Sequence, residues 1–117
     1  MPDNKKILII EDEIDLCLLL RDYFVRKQYD VTVAHTLNEG KALIDSGRRN
    51  ILFLDNNLPD GAAWNSAPVF AASYPEMYIV FISGFQPVLP QMPPDARYGK
   101  IEKPISFAEL DKQFSIF

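Results

Sequence analysis

An α/β fold built on a doubly wound, five-stranded parallel sheet is predicted by three observations. Four short apolar runs recur: "ILII" at 7–10, "VTVA" at 31–34, "ILFL" at 51–54 and "YIVFI" at 78–82. They are rich in Ile and Val and little broken by polar residues, as strands buried on both faces read. Stretches of helical length lie between them, and strand alternating with helix gives parallel strands joined by right-handed crossovers.

Each element has its own signal. In the first helical stretch Ile14, Cys17, Leu20 and Phe24 recur at spacings of three and four, an apolar stripe. In the second, Thr36 and Glu39 fit a capping box and Gly47 a stop. The third, after Gly61, holds Trp64, Ala71 and Tyr74, and Pro68 kinks it or delays its start. A weaker fifth strand around Tyr98 to Glu102 leads to a capping box of Ser106 and Glu109, followed by Leu110, Phe114 and Phe117 on one face.

Composition limits the function. A chain of 117 residues, 48% hydrophobic and 24% charged, is one domain able to bury a core. A formal net charge of −4 speaks against nucleic acid or an anionic membrane as a partner. Cys17 is the only cysteine, so an internal disulfide and a zinc site of cysteines are excluded. There is no signal-peptide core and no apolar span of membrane length, and a reducing cytoplasm is the expected compartment.

Ligands of such sheets bind at the carboxyl ends of the strands. There the runs end in Glu11-Asp12-Glu13, in Asp55 followed by "NNLPDG", in Ser83-Gly84 and in Lys103-Pro104. Asp12, Asp55 and one of Glu11 and Glu13 would repel one another if packed bare. A hard divalent cation with oxygen ligands removes that repulsion, and Mg2+ is the abundant candidate. With Lys103 and the Ser83 hydroxyl beside it, such a centre can receive phosphoryl oxygens, and Asp55 can serve as nucleophile to form an acyl phosphate.

The motifs "ILIIEDE", "ILFLDNNLPDG", "VFISG" and "IEKPI" together resemble the receiver domain of two-component response regulators, over essentially the whole chain, 1–117. The resemblance implies a flavodoxin-like sheet and a phosphoacceptor signalling function that makes the chain no enzyme beyond assisting its own phosphorylation and dephosphorylation. By it Asp55 is the phosphoacceptor, and Glu11, Asp12, Asp55 and the Asn57 backbone carbonyl hold Mg2+. Ser83 and Lys103 contact the phosphoryl group, and the Lys103-Pro104 bond is cis. The partners it implies are a histidine kinase or histidine phosphotransfer protein and a downstream protein target.

Plainer readings stand beside these. Asp55 taken alone is equally readable as a turn former or helix cap. Glu13 reads as a solvated first-turn residue favoured by the helix dipole, Asp60 as turn chemistry, His35 as a loop residue, Cys17 as core and Trp64 as packing. A small Mg2+-dependent phosphohydrolase of the haloacid-dehalogenase type would use similar parts, but it needs an acid two residues past the nucleophile, where Asn57 cannot shuttle a proton. The other alternative is a degenerate receiver that binds partners without being phosphorylated.

Two departures keep that alternative open. Pro87, Pro90, Pro93 and Pro94 fall where the family has its fourth helix, and interior prolines cost a helix about 3 kcal/mol each. The fourth helix is therefore expected to be degraded or missing, replaced by an extended or polyproline-like connection over 84–97 with at most one helical turn. The family's switch pair is a hydroxyl, here Ser83, and an aromatic, whose position is taken by Lys100. Tyr98 is the candidate substitute, on the same strand face but about 6.6 Å further from the active edge.

Overall fold

A computed structural model describes residues 5–84 and 88–115, so Pro87 and Phe117 lie outside it. The chain runs β1 (Lys6–Ile10), α1 (Ile14–Arg26), β2 (Asp30–Ala34), α2 (Leu37–Ser46), β3 (Ile51–Asp55), β4 (Asn57–Leu58), β5 (Gly61–Ala62), a 3-10 turn (Ala63–Ser66), α3 (Ala67–Ser73), β6 (Tyr78–Ser83), β7 (Arg97–Glu102) and α4 (Phe107–Phe114). Five strands form one parallel sheet in the order β2-β1-β3-β6-β7. That is the flavodoxin-like order, whose switch point lies between β1 and β3. Among the described residues no helix is long and apolar enough to cross a membrane.

Alternation along the strands builds two cores. Ile7, Ile9, Phe53, Val80, Ile82 and Ile101 pack with α1 and α4, while Leu8, Ile10, Leu52, Leu54, Ile79 and Phe81 pack with α2 and α3. The edge strand β2 departs from the expectation of full burial, since Val31, Thr32 and Val33 stay half-buried.

The helices follow their local signals. Thr36 Oγ1 accepts from the Glu39 N–H at 3.1 Å and Ser106 Oγ from the Glu109 N–H at 3.2 Å, capping α2 and α4. Gly47 ends α2. Gly40 lets α2 approach β1, because a Cβ there would collide with the Ile10 side chain. Pro68 sits in the first turn of α3 and delays the helix behind the 3-10 turn, where its missing N–H costs nothing. The α1 stripe needs one correction: Cys17, Leu20, Tyr23 and Phe24 are buried, but Ile14, the first residue of the helix, is 57% exposed.

The fourth helix is absent among the described residues between β6 and β7. Residues 88–93 have no regular structure, and a turn at Pro94-Asp95 follows, closed by Ala96 N–H donating to the Pro93 carbonyl at 3.0 Å. Burial in this stretch repeats every three residues. Val88, Gln91 and Pro94 are exposed, while Leu89 and Met92 pack on the core with Ala96 beyond them. Three residues per turn is the polyproline II period.

Candidate functional site

Parallel strands deliver their carboxyl ends to one edge, and four of them build the site. Glu11 follows β1 directly and is wholly buried; Asp55 closes β3 at 6% exposure, and Ser83 closes β6, buried. Lys103 follows β7, its N–H donating to the Ser83 carbonyl at 2.7 Å, and the Lys103-Pro104 peptide is cis. Asp12 and Glu13 face solvent.

The side chains converge as the sequence expects. Ligand oxygens of Glu11, Asp12 and Asp55 lie within 4.8 Å of one another. Lys103 Nζ stands 3.8 Å from Asp55 Oδ1, 3.3 Å from Glu11 Oε1 and 2.7 Å from Glu13 Oε2. Glu11 Oε2 accepts from the Glu13 N–H at 3.0 Å, but Glu11 Oε1 is buried without a hydrogen bond, the nearby ammonium lacking the geometry for one.

Charge crowding shows in the proton affinities. Burial raises the Glu11 carboxyl from 4.5 to about 7; the Asp55 charge adds to it, while the Glu13 N–H and Lys103 oppose it. Burial raises Asp55 too, against the pull of Lys103. Burial pulls the Lys103 ammonium down, but the Glu13 hydrogen bond and the charges of Asp55 and Glu11 outweigh it and raise its pKa. An orphaned buried carboxylate oxygen beside two further carboxylates fits a hard divalent cation with oxygen ligands. Glu11, Asp12 and Asp55 are the side chains that could hold one.

The loop after Asp55 is more ordered than its turn chemistry suggests. Asn57 and Leu58 pair with Ala62 and Gly61 in a two-strand hairpin, with Gly61 at φ 143°, a backbone region that favours glycine. Asn56 fixes the far side: its carbonyl accepts from the Ala63 N–H at 3.0 Å and its Oδ1 from the Trp64 N–H at 3.1 Å. Trp64 Nε1–H donates to the Leu54 carbonyl at 2.9 Å, and its ring packs edge-on against Phe81. Asp55, Asn56, Asn57, Trp64, Ile82, Ser83 and Gly84 enclose a cavity of about 320 Å³.

Three contacts went unread in the sequence. Asp60 does more than turn the chain: its carboxylate accepts from the Leu37 and Asn38 N–H groups at 2.8 and 2.9 Å, tying the hairpin to the start of α2. His35 Nδ1 lies 3.0 Å from the Glu11 carbonyl oxygen. Glu13 meets Lys103. None of these has a local signal, since each joins residues far apart in the chain.

The expected switch positions lie on β7. Lys100 pairs in register with Phe81 and Tyr98 with Ile79, both on the α2/α3 face. Lys100 Nζ is 3.5 Å from Glu102 Oε1. Tyr98 is partly exposed and meets Phe81 edge-on, with ring centroids 5.9 Å apart.

No protein-family model matches the chain, and no curated protein does. Solved structures do. A CheY-like response regulator receiver domain protein from Methanospirillum hungatei JF-1 superposes with a TM-score of 0.83, at 21% identity over 97% of this chain and 92% of that one. This is the receiver-domain fold. The chemotaxis protein CheY4 of Vibrio cholerae shares it with a TM-score of 0.79, at 17% identity over 97% of this chain and 98% of that one. A chain in the complex of histidine kinase ThkA with response regulator TrrA shares the receiver fold too, with a TM-score of 0.77, at 21% identity over 95% of this chain and 96% of that one.

Proposed function

We propose that residues 1–117 form one receiver unit in which Asp55 accepts a phosphoryl group and a changed surface then binds a protein target. The observation that carries this is the position of Asp55 at the switch-point edge, beside Lys103 and within the carboxylate set of Glu11 and Asp12. An Asp55 carboxylate oxygen bonds to phosphorus as the P–N bond of a phosphohistidine breaks, and the imidazole leaves with the electron pair and takes a proton from solvent. Lys103 neutralises charge on the phosphoryl oxygens, and the Ser83 hydroxyl can donate to them across the cavity that it borders with Asp55. Glu11, Asp12, Asp55 and the Asn57 carbonyl would hold Mg2+, which supplies Lewis-acid stabilisation of the transferred group. The donor class is a histidine kinase or histidine phosphotransfer protein, in keeping with the kinase–regulator complex among the fold's relatives. This chemistry, with a single unpaired cysteine, suits a reducing cytoplasm.

The test is direct. The protein incubated with Mg2+ and acetyl phosphate should gain one phosphoryl mass, localised to Asp55 by peptide mass spectrometry and lost in Asp55→Asn. Stable labelling elsewhere with Asp55 unmodified overturns the assignment. Partner binding by an unlabelled protein, indifferent to Asp55→Asn, would favour the phosphorylation-independent module.

A further inference from the structure

Glu13 has the sequence signature of a solvated residue at a helix start, yet its side chain makes no capping hydrogen bond to α1. Its Oε2 instead receives the Lys103 ammonium at 2.7 Å, a shorter approach than Glu11 makes at 3.3 Å or Asp55 at 3.8 Å. The partner holding Lys103 most tightly is thus the carboxylate outside the buried pair, itself 59% exposed.

We propose that Glu13 is a latch on Lys103, holding the ammonium short of Asp55 and setting how strongly the site takes a phosphoryl-like anion. This rests on the phosphoacceptor reading above. Three carboxylates, Glu11, Glu13 and Asp55, stand within 3.8 Å of one ammonium, and Asp12 lies beside Glu11 and Asp55 as a fourth. A divalent cation together with Lys103 balances three of the four carboxylates, and once Lys103 is drawn to a phosphoryl group the charge left over is Glu13. An arriving phosphoryl group must therefore both draw Lys103 away from Glu13 and approach that uncompensated charge. Glu13 acts through Lys103, so it is a positioning residue. Its exposure lets it swing into solvent once the ammonium is taken, whereas Glu11 is fixed in the protein interior.

Trp64 is the only tryptophan and lines the cavity beside Asp55, so its fluorescence reads the site. Beryllofluoride, a phosphoryl mimic, is titrated into the parent protein and Glu13→Gln at saturating Mg2+, and Mg2+ alone is titrated into both. Glu13→Gln should bind beryllofluoride about two- to fivefold more tightly, the range of an exposed ion pair, and bind Mg2+ more weakly. The opposed signs distinguish a charge latch from a folding defect, which would lower both affinities. Added salt should shrink both differences. Glu13→Asp, which keeps the charge on a shorter arm, should fall between parent and Gln variant for beryllofluoride. If the parent binds beryllofluoride and Glu13→Gln binds it no more tightly, the latch is overturned and the phosphoacceptor reading stands. If neither protein binds it, that reading fails and the latch falls with it.

Discussion

The two faces of the sheet are covered by different means. On one, Phe24 of α1 meets Tyr23, Tyr29, Phe53 and Phe114 with ring centroids 4.9 to 5.5 Å apart, and most of these contacts are edge-on, as aromatic pairs prefer. On the other, α2 and the seven-residue α3 leave the β6–β7 side to an irregular chain, where Leu89, Met92 and Ala96 stand in for a helix. A sheet face has to be kept from water, but a hydrogen-bonded helix is not the only way to do it. A connection with three-residue periodicity brings every third side chain inward while its backbone makes no ladder. Such a segment has few buried contacts and opens more readily than a helix-covered face. Functional change is therefore easier to place there than under α1 and α4.

The largest effect should come from the aromatic face. Phe24→Ala should cost about 3–5 kcal/mol, the usual range for emptying a buried aromatic site, measured as a lowered urea midpoint. A loss below about 1 kcal/mol would mean that this face is no better packed than the other.

Next in size is the edge where both faces end. A folded-state pKa near 7 for Glu11, against 4.5 unfolded, means the folded protein holds the extra proton between those values. The contribution of Glu11 to metal-free stability is then fully present below about pH 4.5 and is lost as pH rises through about 7. Melting in EDTA should be several degrees lower at about pH 8 than at about pH 5. If Mg2+ binds the ionised folded cluster, it should restore about 1.4 kcal/mol at ten times its Kd. A melting temperature indifferent to both pH and Mg2+ would remove the case for a cation there, as would an equal response in Asp12→Ala.

Smaller effects belong to the irregular face. Leu89→Ala and Met92→Ala should each cost about 1 kcal/mol, less than a full core deletion because both side chains remain half-exposed. Gln91→Ala, on the outward ridge, should stay within about 0.5 kcal/mol. Equal costs at 89, 91 and 92 would refute the three-residue periodicity. If Asp55 is phosphorylated, hydrogen exchange should change chiefly in the 88–97 backbone, with Tyr98→Phe responding almost normally. A response that needs Tyr98 and spares 88–97 would make Tyr98 the switch.

The parts legible in the sequence are those whose cause is local. "ILII", "ILFL" and "YIVFI" announce central strands because burial on both faces leaves no polar alternation, whereas "RYGKIE" of β7 is weaker because at the sheet edge only Ile101 is buried. Thr36 and Ser106 act on N–H groups three residues away, and the prolines of 87–94 remove helix donors where they stand. The convergence of Glu11, Asp12, Asp55, Ser83 and Lys103 on one edge was readable because parallel strands must place their ends together. What stayed hidden depends on tertiary placement. Ile14 satisfies the helical period but stays exposed at the helix start, and Glu13 meets a lysine 90 residues away.

The Asp60 tether bears on the order in which the chain folds. The Glu39 N–H is satisfied by Thr36 within the same turn, but the Leu37 and Asn38 N–H groups wait for a carboxylate 22 to 23 residues further on. That partner is carried by the hairpin that begins where β3 ends. The start of α2 is thus completed only when a loop of 22 to 23 residues closes, and that closure entropy has to be met before the contact can stabilise the helix. Asp60→Ala should speed unfolding and leave the refolding rate nearly untouched. Slowed refolding would place this contact in the nucleus instead.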